Sequence, residues 1–152
     1  MVRYALGAVL ALMLALRSGG PAAQRVERVD AMAPKITIQV NDTVFNATLA
    51  ANATAAAFVA RLPMSLRMAD LNANEKFVDL PTALPSRAST PSTIRTGDLM
   101  LYGSSTVVLF YKTFGTTYSY TPIAQIDNPG KLQDALGPKG VVVTFAALPK
   151  AQ

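Results

Sequence analysis

The chain has 152 residues, 51% of them apolar and 15% charged, which is length enough for one hydrophobic core and a composition that excludes a disordered chain. The formal charge is +5, and without Arg3 and Arg17 of the amino-terminal stretch 12 basic residues face 9 acidic ones, scattered and without a nucleic-acid motif, so no nucleic-acid partner is expected. Cysteine and histidine are both absent, which excludes disulfides, thiolate nucleophiles, Ser-His-Asp triads and the usual Cys/His zinc sites.

In chain order, Met1 to Arg3 gives a short positive start, and Ala5 to Leu16 is apolar throughout apart from Gly7. That run has the length of a signal-peptide core and falls short of the roughly 20 residues a membrane helix needs. Small residues follow from Ser18 to Ala23, with Gly20 and Ala22 suited to the positions before a cut. The expectation is a signal peptide over 1–22 and a periplasmic or secreted product. Without a cysteine to carry lipid, no stable membrane anchor remains after leader cleavage. An uncleaved leader and a true start at Met32 are the alternatives. Residues 23–34 are polar and aperiodic and read as a linker to a domain over 35–146, with a tail over 147–152.

Ile36, Ile38 and Val40 alternate with polar residues, the period of a half-buried strand. Asn41-Asp42 supplies a hairpin turn, and Phe45, Ala47 and Leu49 resume the alternation. Ala55, Phe58, Val59 and Leu62 fall at helical spacing, with Asn52 or Thr54 to cap the helix and Pro63 to stop it. Met64, Leu66 and Met68 predict a strand, Asn72 to Asn74 a turn, and Glu75 to Leu80 another strand. Pro81 to Thr96 is rich in proline, serine and threonine without sustained periodicity, and reads as a long loop of the kind that often binds. Strands are predicted at Leu99 to Tyr102 and Thr106 to Tyr111, the second apolar from Val107 to Phe110 and so buried on both faces. A short strand over Pro122 to Ile126 precedes a second helix, with Asn128 as cap, Pro129 in its first turn, Leu132 and Leu136 on one face, and Gly137 as its stop. Val141, Val143 and Phe145 mark the last strand. About eight strands and two short helices suit a mainly β, small closed barrel with helices over its ends.

DLNANEKFVDLP (Asp70 to Pro81), STIRTGDLMLYGSSTVVLFYKTF (Ser92 to Phe114) and TTYSYTPIAQID (Thr116 to Asp127) together resemble the signature segments of the bacterial cyclophilin-like domain family, over about Lys35 to Phe145. The resemblance implies a closed eight-stranded cyclophilin-like barrel. It also implies a groove bordered by the Thr106 to Tyr111 strand, where true cyclophilins bind peptide. Cyclophilins hold a substrate carbonyl with an arginine beside a proline pocket, with a glutamine, a tryptophan and a histidine nearby. Tryptophan and histidine are absent here, and no arginine falls on the catalytic one by motif, so the resemblance implies a domain without an established activity.

Tyr102, Tyr111, Phe114, Tyr118 and Tyr120 crowd into one stretch and are the expected ligand-binding residues, their phenols suited to stacking and hydrogen bonding. The alternative is that some of them pack the barrel. Arg95 is the weak candidate for a carbonyl clamp, since a guanidinium fork suits that task; a surface arginine capping a loop is the plainer reading. Asp70, Asn72, Asn74 and Glu75 gather oxygen donors, but Asn-rich turns form for backbone reasons, so neither a metal nor a cofactor is expected. Binding of a peptide or small ligand leads, with peptidyl-prolyl isomerisation and a protein interaction through the loop over 81–96 as alternatives.

Overall fold

The computed structural model describes residues 33–148. The leader and most of the linker lie outside them. Within β1 (Lys35–Val40) the alternation decides the faces: Ile36, Ile38 and Val40 are fully buried and Gln39 faces out. Asn41 turns the chain with φ of 50°, a left-handed conformation that asparagine adopts more readily than most residues. β2 (Thr43–Leu49) then pairs back on β1 with Val40 opposite Thr43.

Helix α1 (Ala53–Val59) is capped by Asn52, whose Oδ1 accepts the Ala55 N–H at 2.8 Å while its Nδ2 donates to the Pro122 carbonyl at 2.8 Å. The helical spacing predicts a helix reaching Leu62, and the helix stops at Val59. Leu62 is held in a following turn, its N–H donating to the Val59 carbonyl, and still packs on the core. The last bonds tighten to three-residue spacing, with Arg61 N–H donating to the Phe58 carbonyl as well, and Pro63, lacking an N–H, cannot resume the helical ladder.

β3 (Met64–Leu71) and β4 (Glu75–Asp79) are joined through Asn72 and Ala73, both at positive φ. β5 (Thr93–Ile94), β6 (Asp98–Tyr102), β7 (Thr106–Phe110), β8 (Phe114–Gly115) and β9 (Thr121–Ile126) follow. A 3-10 turn at Pro129–Lys131 leads into α2 (Leu132–Leu136), and β10 (Val141–Ala147) completes the chain. Asn128, expected as a cap, makes no side-chain capping bond, because Pro129 and the 3-10 turn already set the entry to α2.

Eight strands close into an antiparallel barrel in the order β1-β10-β3-β4-β7-β6-β9-β2, with β2 returning to β1. Closure leaves no edge to protect. The interior is filled by alternate residues such as Leu99, Leu101, Val107 and Leu109, and the two helices close opposite ends. At one end Phe58 of α1 meets Phe145 edge to face, with ring centroids 5.4 Å apart. At the other, Leu132 and Leu136 of α2 are buried, and Asn41 of the β1–β2 turn donates to the Ala135 carbonyl.

β9 carries a bulge against β6: Leu99 faces Ala124 while Met100 faces Pro122, leaving Ile123 as the extra residue. Pro122 lacks a donor for the ladder, so the irregularity falls where the ladder is already broken. Gly97 precedes β6 at φ of 93°, where an added Cβ would lie 3.0 Å from the Pro129 side chain.

The segment over 81–96 was expected to be a loop without periodicity, and it is mostly irregular but not free. Ser89 pairs with Tyr120, and β5 pairs with β8 as a separate two-stranded sheet. These contacts fold it over the outer face of β6 and β7, and the outer residues Val108 and Phe110 of β7 are buried for that reason.

Candidate functional site

The outward residues of β4, β7 and β6 form a floor in register. Phe77 lies opposite Val108, which lies opposite Met100; Asp79 lies opposite Thr106, which lies opposite Tyr102. The same alternation turns Lys76, Val107, Leu109 and Leu101 inward. Against the floor, Ile94, Met100, Val108, Phe110 and Tyr120 make a second buried cluster outside the barrel, with Phe77 and Phe114 packed on it. The β5–β8 flap covers only part of this surface. The rest is a cleft of about 930 Å3 whose floor is Phe77, Val108 and Thr106 and whose wall is the segment from Phe114 to Tyr120. That volume lies near the upper end of the roughly 300–1,000 Å3 usual for ligand sites.

An aromatic series runs from the buried cluster into the open cleft. Phe114 lies against Phe110 at 5.7 Å between centroids, Phe110 against Tyr120 at 5.5 Å, Tyr120 against Tyr102 at 5.6 Å, and Tyr102 against Tyr118 at 6.3 Å. Burial falls along it, from Tyr120 at 7% exposed to Tyr118 at 62%. The Phe110–Tyr120 and Tyr102–Tyr118 pairs are edge to face, a geometry that restrains the rings and adds about 0.5–1.5 kcal/mol per pair beyond burial, and the other two pairs are tilted. Burial, with the nearby Glu75 carboxylate, holds the Tyr120 hydroxyl above the ordinary phenol range, so it enters any interaction protonated.

Of the five aromatic residues expected to bind, the structure brings Tyr102, Phe114, Tyr118 and Tyr120 to this one cleft. Tyr111 does not join them. Its place in the alternation of β7 is that of Val107 and Leu109, so the side chain goes inward, where its hydroxyl donates to Asp70 Oδ1 at 2.6 Å. It borders a separate recess of about 350 Å3 beside α2. Burial, then the bond to Asp70, pushes its hydroxyl up to about 12. Arg95 is not brought to the cleft either: its side chain is 71% exposed, with the guanidinium 3.9 Å from Asp98 Oδ1. Its backbone N–H donates to Asp98 Oδ2 at 2.8 Å, so the residue belongs to the turn entering β6.

Of the four oxygen-bearing residues of the β3–β4 turn, Asp70 is turned away from the other three. Asp70 accepts from Lys76 Nζ at 2.8 Å, from Tyr111 and from the Ala73 N–H, and these donors hold its carboxyl below the usual range. Asn72, Asn74 and Glu75 line the cleft. Lys76, which sequence reasoning missed, is fully buried inside the barrel and also donates to the Gly137 and Lys139 carbonyls, each at 2.7 Å. Glu75, Phe77 and Asp79 were missed as cleft residues as well. The available signal was parity: three residues at i, i+2 and i+4 of one strand share a face.

A search of curated proteins and a search of solved structures returned no significant match. A scan against family models gave one described as the cyclophilin-like family, matching residues 38–146. That match covers most of the chain and nearly all of the barrel, from β1 to β10, and the chain therefore belongs to the cyclophilin-like family.

Proposed function

We propose that the protein is an exported binding module that holds a peptide or small ligand in the cleft over β4, β7 and β6. The observation that carries this is where exposed apolar surface collects. Among the described residues six large hydrophobic side chains are exposed, and Leu71, Tyr102 and Tyr118 are three of them gathered at this cleft. Apolar surface left uncovered around a preformed cleft is the ordinary mark of a ligand site. The aromatic side of the cleft is ready for an occupant, because Tyr102 is held against both Tyr118 and Tyr120.

The isomerase alternative needs a guanidinium facing the aromatic wall, and among the described residues no arginine lines the cleft. The protein-interaction alternative needs an apolar patch on the segment over 81–96, yet none of the exposed large hydrophobic residues lies there. Binding without chemistry is therefore favoured. The test is an NMR titration of the protein with capped X-Pro and non-proline peptides, recording ring resonances and cis/trans exchange together. The expected result is movement of Tyr102, Tyr118 and Tyr120 rings with no acceleration over the uncatalysed tens of seconds or longer. Exchange accelerated by wild type and lost in Arg95→Ala would replace this function with isomerisation. Export has its own check: the exported product should begin at Ala23, and a full-length mass would reject cleavage.

A further inference from the structure

The cleft is aromatic, but among the described residues the charged ones that line it are both acidic, Glu75 and Asp79, without a lysine or arginine. This contrasts with a chain of net charge +5. The two carboxylates are not alike. Asp79 is exposed, and its Oδ1 accepts the Thr106 hydroxyl at 2.6 Å. Glu75 is half-buried, and among the described residues its carboxylate has neither a hydrogen-bond nor an ion-pair partner. Burial raises the Glu75 carboxyl above its usual range, the nearby Asp70 charge adding to the effect, as expected for a carboxylate short of compensation. A half-buried carboxylate without a donor, in an aromatic cleft lined by a second carboxylate, is an arrangement that a donor-rich cation completes.

Resting on the binding function proposed above, we infer that the occupant is an extended peptide with a lysine or arginine side chain at Glu75, and an apolar side chain two residues away over Phe77 and Val108. The spacing follows from the floor. Glu75 and Phe77 are two residues apart on β4, about 6.6 Å, and side chains on one face of an extended peptide repeat at the same interval. An ammonium or guanidinium group supplies donors to the Glu75 carboxylate, and its stem lies along the rings of the wall, where a cation also gains from the phenol faces. A lone small amine satisfies the carboxylate but leaves the apolar floor open, whereas a peptide covers both.

The experiment compares four probes on the whole protein by NMR titration: acetyl-Ala-Lys-Ala-Leu-Ala-amide, the same peptide with Gln for Lys, the same with Glu for Lys, and butylamine. The lysine peptide is expected to bind at least about tenfold more tightly than the glutamine peptide, about 1.4 kcal/mol, with the glutamate peptide weakest and butylamine weaker than the lysine peptide. Glu75→Gln should erase the lysine preference, so that the lysine and glutamine peptides bind this variant alike. Equal binding of the lysine and glutamine peptides to wild type overturns the charge assignment and needs no variant to do so. If both still move the cleft tyrosines, the binding function survives that failure; if no probe moves them, both fall. Butylamine binding as tightly as the lysine peptide would overturn the peptide class.

Discussion

Replacing Lys76 with methionine should destabilise the barrel by about 3 kcal/mol. The ammonium group is fully buried and makes three bonds of 2.7–2.8 Å, to Asp70 Oδ1 and to the Gly137 and Lys139 carbonyls. Each bond from a charged donor is worth about 1.5–3 kcal/mol where the acceptor is sealed from water. Here the acceptors are not fully sealed, since Gly137 is half-buried, Lys139 is exposed and the Asp70 side chain is 21% exposed. Water can reach part of what the lysine leaves, which brings the sum to about 4 kcal/mol, and the apolar thioether returns about 1 kcal/mol in the interior. Removing both members of a buried pair can be neutral, whereas removing one leaves the other uncompensated, so Asp70→Asn in the methionine background should recover part of the loss. Urea unfolding followed by far-ultraviolet circular dichroism measures it, with the midpoint moved and the slope unchanged. A loss under about 1 kcal/mol would refute the reasoning, because the lysine would then not be holding the α2–β10 connection to the barrel wall.

The acid limb of stability follows from opposed carboxyls. Asp70, bonded by Lys76 and Tyr111, and Asp127, bonded by Lys35 and Thr48, sit below their usual range, so what they contribute is complete above about pH 4 and lost as pH falls through their folded values. Glu75 and Asp98, raised chiefly by burial, take up protons earlier on acidification and oppose that loss, so stability should hold or rise slightly from neutral to about pH 5 and fall below about pH 4. Phenolate absorbance should show one tyrosine, Tyr111, titrating near 12, and in Asp70→Asn that group should move back toward 10.0 while remaining folded. Asn52→Ala should cost about 2 kcal/mol by urea unfolding, about one for the α1 cap and about one for the bond to Pro122. A loss no larger than that of an ordinary surface substitution would deny Asn52 its double attachment.

Most of the barrel was legible because its strands are half-buried and obey a period of two. Ile36, Ile38 and Val40, or Val141, Val143 and Phe145, carry their register in the residues themselves. The apolar run over Val107 to Phe110 correctly implied burial on both faces, although what covers the outer face is a pair of two-residue strands, too short to leave any periodic trace. The helix ends were less legible: Pro63 and Pro129 act through the backbone, and neither reveals where the last hydrogen bond falls.

The site divides along the same line. Crowding in the sequence located the aromatic wall but swept in Tyr111, because nearness along the chain says nothing about which side of a strand a residue faces. The parity that separates Tyr111 from Phe110 was present in the sequence. The acidic end of the cleft was not visible as such, since Glu75 and Asp79 look like ordinary solvated strand residues until β7 and the Phe114–Tyr120 wall stand beside them. Arg95 looked suited to a carbonyl clamp by residue type, and the turn into β6 carries it away from the cleft.

The central claim is that an occupant sits on the floor between β4 and β6, under the tyrosine wall. Intermolecular nuclear Overhauser contacts between a bound capped peptide and assigned side chains report this directly. Contacts to the rings of Tyr102, Tyr118 and Tyr120 and to the Val108 methyls are predicted. Contacts confined to Val44, Val142 or the recess beside Tyr111, with the cleft rings silent, would contradict it.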